Sequence, residues 1–381
     1  MKREQITTYN AWRGIAAVMI LFSHMSYLAD AVNPFWNGFW SYFMNNGGLC
    51  SSFFFIVSGF FLNYSWKNQC FKVYLKGKLK RIYPLTLIVF LLALAVDILF
   101  SGNDIVSEGV STFSSVWFFN AFANIFLFKA FIPFKTTFYS FHGPSWYISV
   151  LFVFYIVAYW FVRGCKSDDE STRNKWLKIL RGCVITAYIL QFILCVYVRL
   201  TEISALYPCY INPYFRIFGE GFAGILLCEY SDVIQAKFES ILKKLNLGYT
   251  AAELAAVLLF ILDFILRDIF SLNIWSAWLQ IVPMGLVLIT FRKGNGVISK
   301  ALTTRPFMFL GTVSFELYMT HAFVYEGIPI AVGVVSRTLR DWIVYHAGTR
   351  FIITFIACII FAWIVNAALN QLYKILYKIK T

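Results

Sequence analysis

The chain has 381 residues, of which 60% are hydrophobic and only 14% are charged, and its formal net charge is +14. Soluble globular domains are about half apolar and a quarter charged, so this composition excludes an ordinary soluble domain. The apolar runs are long, which excludes an outer-membrane barrel, whose strands are short and alternate. The basic residues lie between apolar runs instead of on one soluble face, which argues against a nucleic-acid partner.

Apolar runs of about 20 residues predict transmembrane helices. About ten runs pass this test, so the sequence predicts an all-α integral membrane protein that forms one bundle and one domain over residues 1–381. The predicted spans cover residues 9–29, 47–65, 82–100, 144–163, 180–199, 213–230, 249–267, 273–291, 307–327 and 350–374.

One further apolar run, residues 113–132, is interrupted by Asn120, Asn124 and Lys129. This pattern favours an interfacial or re-entrant segment over an eleventh span. Most basic residues cluster in alternate loops, so the positive-inside rule places both termini in the cytoplasm. An eleventh span would instead place the strongly basic loop 163–181 on the outer side.

The first predicted span contains two ionisable side chains, Arg13 and His24. An ionisable residue at the centre of a span costs about 2.5–3.5 kcal/mol on insertion scales, so it normally faces a partner or a cavity. Their separation corresponds to roughly three helical turns plus 20°, which places both on one face, about 16 Å apart along the axis. This register predicts that Arg13 binds an anion at the cytoplasmic end and that His24 performs proton chemistry in the outer half. The alternative is a snorkelling arginine and a histidine bonded to a neighbouring helix.

Six segments resemble, in the same order, the motifs of the membrane-bound acyltransferase-3 family. They are RGIAAVMILFSH (13–24), SSFFFIVSGFFL (51–62), KLKRIYP (78–84), GPSWYISVLF (143–152), FRIFGEGFAGILL (215–227) and FLGTVSFELYMTHAFV (309–324). Members of this family acylate, and most often O-acetylate, surface glycans and related acceptors. Each segment is weak evidence alone, whereas the ordered set is specific.

Two positions depart from the family pattern. Asn10 stands where the family commonly has an acidic residue three positions before the arginine, and Lys78 replaces the first arginine of the basic segment. Asn10 therefore offers no carboxylate to orient Arg13. A lysine supplies charge to a phosphate but not the bidentate fork of an arginine.

The resemblance implies a multi-pass enzyme of a bacterial inner (plasma) membrane that uses acetyl-CoA, or another acyl-CoA, as donor. Its acceptor would be a hydroxyl of a cell-envelope polysaccharide or glycolipid, with His24 as general base. Arg13, Lys78 and Arg81 would bind the donor phosphates, although basic residues before a span also serve as a topology signal. The eight cysteines form no CxxC pair and predict no metal site.

Three residues of the middle segments have two interpretations each. Ser58 lies in an aromatic helix, where a small residue either permits close helix packing or lines a narrow passage for the acyl chain. Trp146 and Tyr147 begin the fourth span on the outer side, where they either belong to the interfacial aromatic belt or bind a sugar ring.

The late segments place four more ionisable side chains inside spans. Arg216 and Glu220 are four residues apart, so they either neutralise each other or bind substrate. Glu316 and His321 lie in the ninth span on different faces, so each needs a partner on another helix. His321 falls at a depth similar to His24. We expect one of Glu316 and His321 to orient His24 or to shape the acceptor site as part of the catalytic machinery, and we expect both, with Trp146, to meet the acceptor.

Three other classes of protein remain as alternatives. A transporter or flippase of a lipid-linked glycan also keeps polar residues in its spans. A glycan polymerase or ligase would favour large outer loops rich in arginine, which the 101–143 segment does not have. A non-catalytic scaffold would leave the register of Arg13 and His24 unexplained.

Overall fold

The computed structural model describes residues 6–99, 109–201, 212–269 and 281–377, and these residues contain helices and loops but no strand. The α-helices are numbered in chain order. They are α1 Thr7–Ser23, α2 Pro34–Phe39, α3 Gly47–Tyr64, α4 Phe71–Leu99, α5 Ser115–Ile125, α6 Lys135–Phe138, α7 Trp146–Cys165, α8 Glu170–Thr201, α9 Asn212–Phe215, α10 Phe222–Glu229, α11 Ser231–Lys244, α12 Tyr249–Ile269, α13 Ile281–Phe291, α14 Val297–Leu302, α15 Arg305–Thr312, α16 Ser314–Val335, α17 Arg337–Tyr345 and α18 Ala347–Tyr377. Short π-helical segments occupy Trp40–Met44 and Arg216–Gly221.

Seven helical stretches of the described residues are long and apolar enough to cross a membrane. They are Pro34–Tyr64, Phe71–Leu99, Gly143–Cys165, Glu170–Tyr197, Tyr249–Leu266, Ser314–Val335 and Ala347–Ile375. The chain is therefore a multi-pass helical membrane protein, as its composition predicts.

Three of the predicted spans are absent from these seven. The first span is shorter than predicted, because α1 has 17 residues and ends at Ser23. The predicted span 213–230 is helical from Asn212 to Glu229, but it contains the π-helical segment Arg216–Gly221 and the charged residues Arg216, Glu220 and Glu229, so it is less apolar than the seven stretches. Residues 273–280 of another span lie outside the described part, as do residues 1–5 and 378–381. The number of about ten spans and the cytoplasmic location of both termini therefore stay predictions.

The apolar run 113–132 contains the 11-residue helix α5. A helix of that length extends about 16 Å, roughly half of the hydrocarbon core of a bilayer. This length agrees with the interfacial or re-entrant interpretation. The helix is followed by Lys129, which is buried and donates to the backbone carbonyls of Ser140 and His142 at 2.9 and 2.8 Å. The buried ammonium is thereby solvated by backbone carbonyls of the loop between α6 and α7.

The chain forms two compact units, one of Met1–Phe53 with Val233–Thr381 and one of Phe54–Asp232. A single domain over 1–381 stays a prediction. In the first unit, Thr8 donates to the carbonyl of Phe291 at 2.7 Å, and the Tyr9 hydroxyl donates to the carbonyl of Leu288. These bonds tie the start of α1 to the end of α13, whose terminal carbonyls have no partner within the helix.

A buried carboxylate organises a second helix terminus of the first unit. Glu253 of α12 is fully buried and accepts the backbone N–H groups of Gly296, Ile298 and Ser299 at 2.9, 2.9 and 3.1 Å. It also accepts the Ser299 hydroxyl. The first turn of α14 leaves several N–H groups without helical partners, and this carboxylate satisfies them. Nothing in the sequence alone indicates that Glu253 has this role.

In the second unit, glycine permits close contact between α3 and the segment that begins at Arg216. A Cβ atom built on Gly59 would lie 2.9 Å from the carbonyl carbon of Gly221, and one built on Gly224 would lie 2.8 Å from that of Ile56. Real Cβ atoms are almost never found so close to backbone, so only glycine fits at both positions. The contact supports close packing as the reason for the small residues beside Ser58.

The helix that carries Arg13 and His24 makes a similar contact in the first unit. A Cβ atom built on Gly14 would lie 2.6 Å from the backbone nitrogen of Gly311 in α15. Backbone cannot move aside as a flexible side chain can, and overpacking of this kind costs about 1–3 kcal/mol. We therefore expect Gly14→Ala to lower the midpoint of thermal unfolding in detergent. Gly285→Ala is the matched control, because nothing lies within 4 Å of the Cβ built there. Equal midpoints for the two variants would contradict this account.

Candidate active site

His24 lies at the end of α1 instead of inside a longer span. The helix ends at Ser23, and His24 is its C-cap, with backbone φ −84° and ψ −5°, and its N–H donates to the carbonyl of Leu21 at 3.2 Å. The side chain is exposed. The backbone is helical from Arg13 to Ser23, so Arg13 and His24 lie on one face of α1, as their spacing predicts. Arg13 is half-buried.

The first unit brings His24 and His321 together. Their ring centroids are 4.9 Å apart, with an angle of 40° between the ring planes. His321 belongs to α16 and is 1% exposed, whereas His24 is accessible. Sequence reasoning placed both residues at a similar depth, and the fold makes them neighbours. One histidine of the pair is therefore open to a reactant while the other supports it from the interior.

The hydrogen bonds of His321 define the protonation of its ring nitrogens. Its Nδ1 lies 2.7 Å from the backbone carbonyl of Tyr318. A carbonyl oxygen only accepts hydrogen bonds, so we assign the proton of the neutral ring to Nδ1 and the lone pair to Nε2. Nε2 is buried and has no hydrogen-bond partner among the described residues. A fixed lone pair beside an accessible histidine is an arrangement suited to proton transfer.

Glu316 has a different environment from His321, as their spacing predicted. Its carboxylate accepts a hydrogen bond from the Asn366 amide of α18 at 3.0 Å, and it is 8% exposed. This bond joins α16 to α18 and shows a structural contribution of Glu316. A catalytic role for Glu316 stays a prediction.

The predicted donor-binding residues Lys78 and Arg81 lie in the second unit, near the start of α4. The Lys78 ammonium is 4.9 Å from the centroid of the Tyr155 ring and 5.4 Å from that of Tyr74. Cation–π contacts of this kind hold the ammonium in place without neutralising its charge. Lys78 is half-buried and Arg81 is exposed. Because they are three residues apart on one helix, their side chains are neighbours.

The other predicted substrate residues of the second unit differ in accessibility. Ser58 is half-buried in α3. Trp146 is half-buried and stacks on Phe138, with ring centroids 5.6 Å apart and an interplanar angle of 23°. Tyr147 is only 5% exposed and packs on Phe55, with centroids 4.6 Å apart. The expectation of an interfacial belt is therefore wrong for Tyr147, because its ring fills the interior of the unit.

Arg216 and Glu220 form the ion pair that their spacing predicted. The Arg216 Nη1 atom lies 2.7 Å from both carboxylate oxygens of Glu220, and its Nε donates to Asn212 at 2.9 Å. Both side chains are buried. The π-helical segment Arg216–Gly221 carries both members. Their neutralisation explains how two charges are accommodated in an apolar segment.

Sequence reasoning missed three residues of the first unit. Tyr27, Tyr325 and Arg350 form an aromatic and cationic group in which the Arg350 guanidinium lies 4.0 Å from the centroid of Tyr27. In the sequence, Arg350 counts only as one basic residue near the last span. Its position in the first turn of α18 is the one signal that could have identified it, because arginine is costly there.

The helical spans define a multi-pass membrane protein, and its candidate site contains one accessible and one buried histidine side by side. A family model described as an acyltransferase domain, Acyl_transf_3, matches residues 6–367 of the chain. The chain therefore belongs to the acyltransferase-3 family, and the protein is a membrane acyltransferase. The match covers every segment on which the resemblance rests.

No curated protein matches the chain in sequence, and no solved structure matches it.

The ion pair of Arg216 and Glu220 can be tested by stability measurements. Removing one partner leaves an uncompensated buried charge, which costs about 3–5 kcal/mol, whereas replacing both partners by apolar residues is often nearly neutral. We expect Arg216→Met or Glu220→Met to destabilise the protein strongly and the double variant to recover most of the loss. Thermal unfolding of all four proteins in detergent gives the coupling between the two residues. If the loss of stability in the double variant equalled the sum of the two single losses, the two residues would not stabilise each other.

Proposed function

We propose that the protein transfers an acyl group, in the simplest case acetyl, from acyl-CoA to a hydroxyl of a cell-envelope polysaccharide or glycolipid. The single observation that supports this proposal is the pair of His24 and His321, one accessible and one buried, within an acyltransferase family member. We place the reaction in a bacterial inner membrane, with a cytoplasmic donor and an acceptor that meets the outer end of α1.

In the proposed reaction, His24 acts as general base. Its neutral imidazole removes the proton of the acceptor hydroxyl while the oxygen attacks the thioester carbonyl. The carbon–sulfur bond breaks, the acyl oxygen ester forms, and the leaving CoA thiolate takes up the proton. General-base catalysis of this kind contributes about 10²–10⁴-fold to a rate. The exposure of His24 supports this role, since a fully buried imidazole could not reach a hydroxyl.

His321 is proposed to support His24. Its Nδ1–H is held by the carbonyl of Tyr318, so its lone pair at Nε2 is fixed beside the His24 ring. When His24 becomes positively charged during the reaction, an adjacent lone pair stabilises that charge. The hydrogen bond to Tyr318 also holds the His321 ring in one orientation, because the ring cannot rotate without losing that bond.

The donor is proposed to bind through positive charge. Lys78 and Arg81 of the second unit are assigned to the phosphates of CoA, because a half-buried ammonium held by two tyrosine rings and an adjacent exposed guanidinium offer charge and hydrogen-bond donors together. Arg13 and Ser58 keep their sequence-based assignments to the donor. Trp146, Arg216 and Glu220 keep theirs to the acceptor.

The reaction is tested by analysis of envelope glycans and by assay of the purified protein. We expect His24→Ala to lower transfer of labelled acetyl groups from acetyl-CoA by about 10²–10⁴-fold, as the loss of a general base predicts. Mass spectrometry of glycans from the same strain should show loss of a base-labile ester.

The matched control is His346→Ala, because His346 is exposed and stacks on Trp342 at the end of α17. It should leave transfer unchanged. A flippase of a lipid-linked glycan predicts a different result, in which His24→Ala stops glycan export while the ester content per exported glycan is unchanged. That result would refute the acyltransfer mechanism proposed for His24.

The donor assignment makes a separate kinetic prediction. Lys78→Gln removes one positive charge and its two cation–π contacts, so we expect the KM for acetyl-CoA to rise about tenfold with a smaller change in kcat. Lys72→Gln, at an exposed position of the same helix, is the control for net charge and should leave both constants unchanged. An equal loss in kcat with an unchanged KM would remove Lys78 from donor binding.

A further inference from the structure

Arg350, Tyr27 and Tyr325 lie about one helical turn beyond the two histidines. Tyr27 follows His24 by three residues, in the 3-10 helix Ser26–Leu28. Tyr325 follows His321 by four residues on α16, so it lies on the same face about 6 Å further along the axis. The two tyrosine rings are parallel, with centroids 6.2 Å apart and an interplanar angle of 12°.

The Arg350 guanidinium is held by these rings instead of by a carboxylate. Its central carbon is 4.0 Å from the centroid of Tyr27 and 5.8 Å from that of Tyr325. Arg350 makes no ion pair with any residue that the structure describes, and its buried Nε atom has no hydrogen-bond partner there. A cation–π contact uses the face of the guanidinium and leaves its N–H edge available.

This arrangement is costly without a ligand. A buried donor without a partner costs about 1–3 kcal/mol, and an arginine near the membrane adds to that cost. Glu326, next to Tyr325 in sequence, is exposed and does not neutralise the guanidinium. The N–H edge of arginine matches the two oxygens of a carboxylate or a phosphate, which are the ligands that it binds most strongly.

We propose that Arg350, stacked on Tyr27, binds an oxyanion of the acceptor, placed about one sugar residue from the hydroxyl that receives the acyl group. This inference rests on the proposed function, since it assigns the acceptor as an anionic glycan or glycolipid. The oxyanion is either a sugar carboxylate or a sugar phosphate, and both offer the same pair of oxygens. Binding at this subsite orients the acceptor hydroxyl toward His24, which lowers the entropic part of the barrier.

The subsite is tested by equilibrium binding to the purified full-length protein in detergent, without donor. The probes are D-glucuronate, D-glucose 1-phosphate and the neutral methyl glucoside. We expect at least one anionic probe to bind more tightly than the neutral probe. Arg350→Gln should weaken that binding at least tenfold and leave the neutral probe unaffected. A preference for glucuronate identifies a carboxylate in the acceptor, and a preference for glucose 1-phosphate identifies a phosphate.

Three variants keep the test informative if Arg350→Gln fails to fold. Arg350→Lys retains the charge and loses the planar fork, so it should bind the anionic probe with intermediate affinity. Tyr27→Phe keeps the stacking ring and should bind normally, whereas Tyr27→Ala should weaken binding. The matched control is Arg340→Gln, because Arg340 is half-buried, as Arg350 is, and is paired with Asp341 at 2.7 Å. It should bind the anionic probe as the unmodified protein does.

The inference is overturned if no probe binds, if the neutral probe binds as tightly as the anionic ones, or if Arg350→Gln and Arg340→Gln behave alike. His24→Ala separates this result from the proposed function, since it should abolish acyl transfer and leave binding of the anionic probe intact. Arg350-dependent binding without any acyl transfer would refute the proposed function alone. The oxyanion subsite alone would be refuted if Arg350→Gln transferred acyl groups with the same KM for the acceptor and bound the anionic probe as the unmodified protein does.

Discussion

Charge and hydrogen-bonding groups inside a bilayer have no water to bind, and each must find a partner within the protein or a ligand. This constraint accounts for the buried polar contacts of both units. Glu253 neutralises the first turn of a helix, Arg216 and Glu220 neutralise each other, and Lys129 is solvated by backbone carbonyls. Arg350 and Lys78 differ from these groups, since aromatic rings hold them and no carboxylate among the described residues is seen to pair with them. That difference is the reason to assign each of them a ligand.

Close contact between backbones is the second requirement for the site. Gly14 allows α1 to lie against α15, and α16 follows α15 after a single residue, Val313. The His24 end of α1 is therefore held near the helix that carries His321. A larger residue at Gly14 would disturb the histidine pair indirectly, through helix position. The histidines are thus aligned by packing many residues away from them, which is how a rigid scaffold holds catalytic groups in a reactive geometry.

The proposed chemistry and the observed polar contacts divide the ionisable residues into two groups. Residues with internal partners, such as Lys129 and Glu253, stabilise the fold. Residues with an available edge, such as His24 and Lys78, retain the capacity to bind or to transfer a proton. Tyr147 illustrates why this distinction depends on the tertiary structure, since its sequence position suggests an interface and its ring is buried.

The sequence by itself determined the membrane class, the family and the register of Arg13 and His24, because hydropathy, ordered motifs and helical periodicity are local properties of the chain. It gave the ion pair of Arg216 and Glu220 as one of two interpretations, and the structure shows the pair formed. Details within the helices were harder to predict from the sequence. Helix α1 stops at Ser23, and the span at 213–230 contains a π-helical segment that no periodicity predicts. Only the tertiary structure decided that His321 lies beside His24 and that Arg350 stacks on Tyr27. These contacts join residues about 300 positions apart in sequence, and their geometry depends on how separate helices pack, which no local pattern encodes.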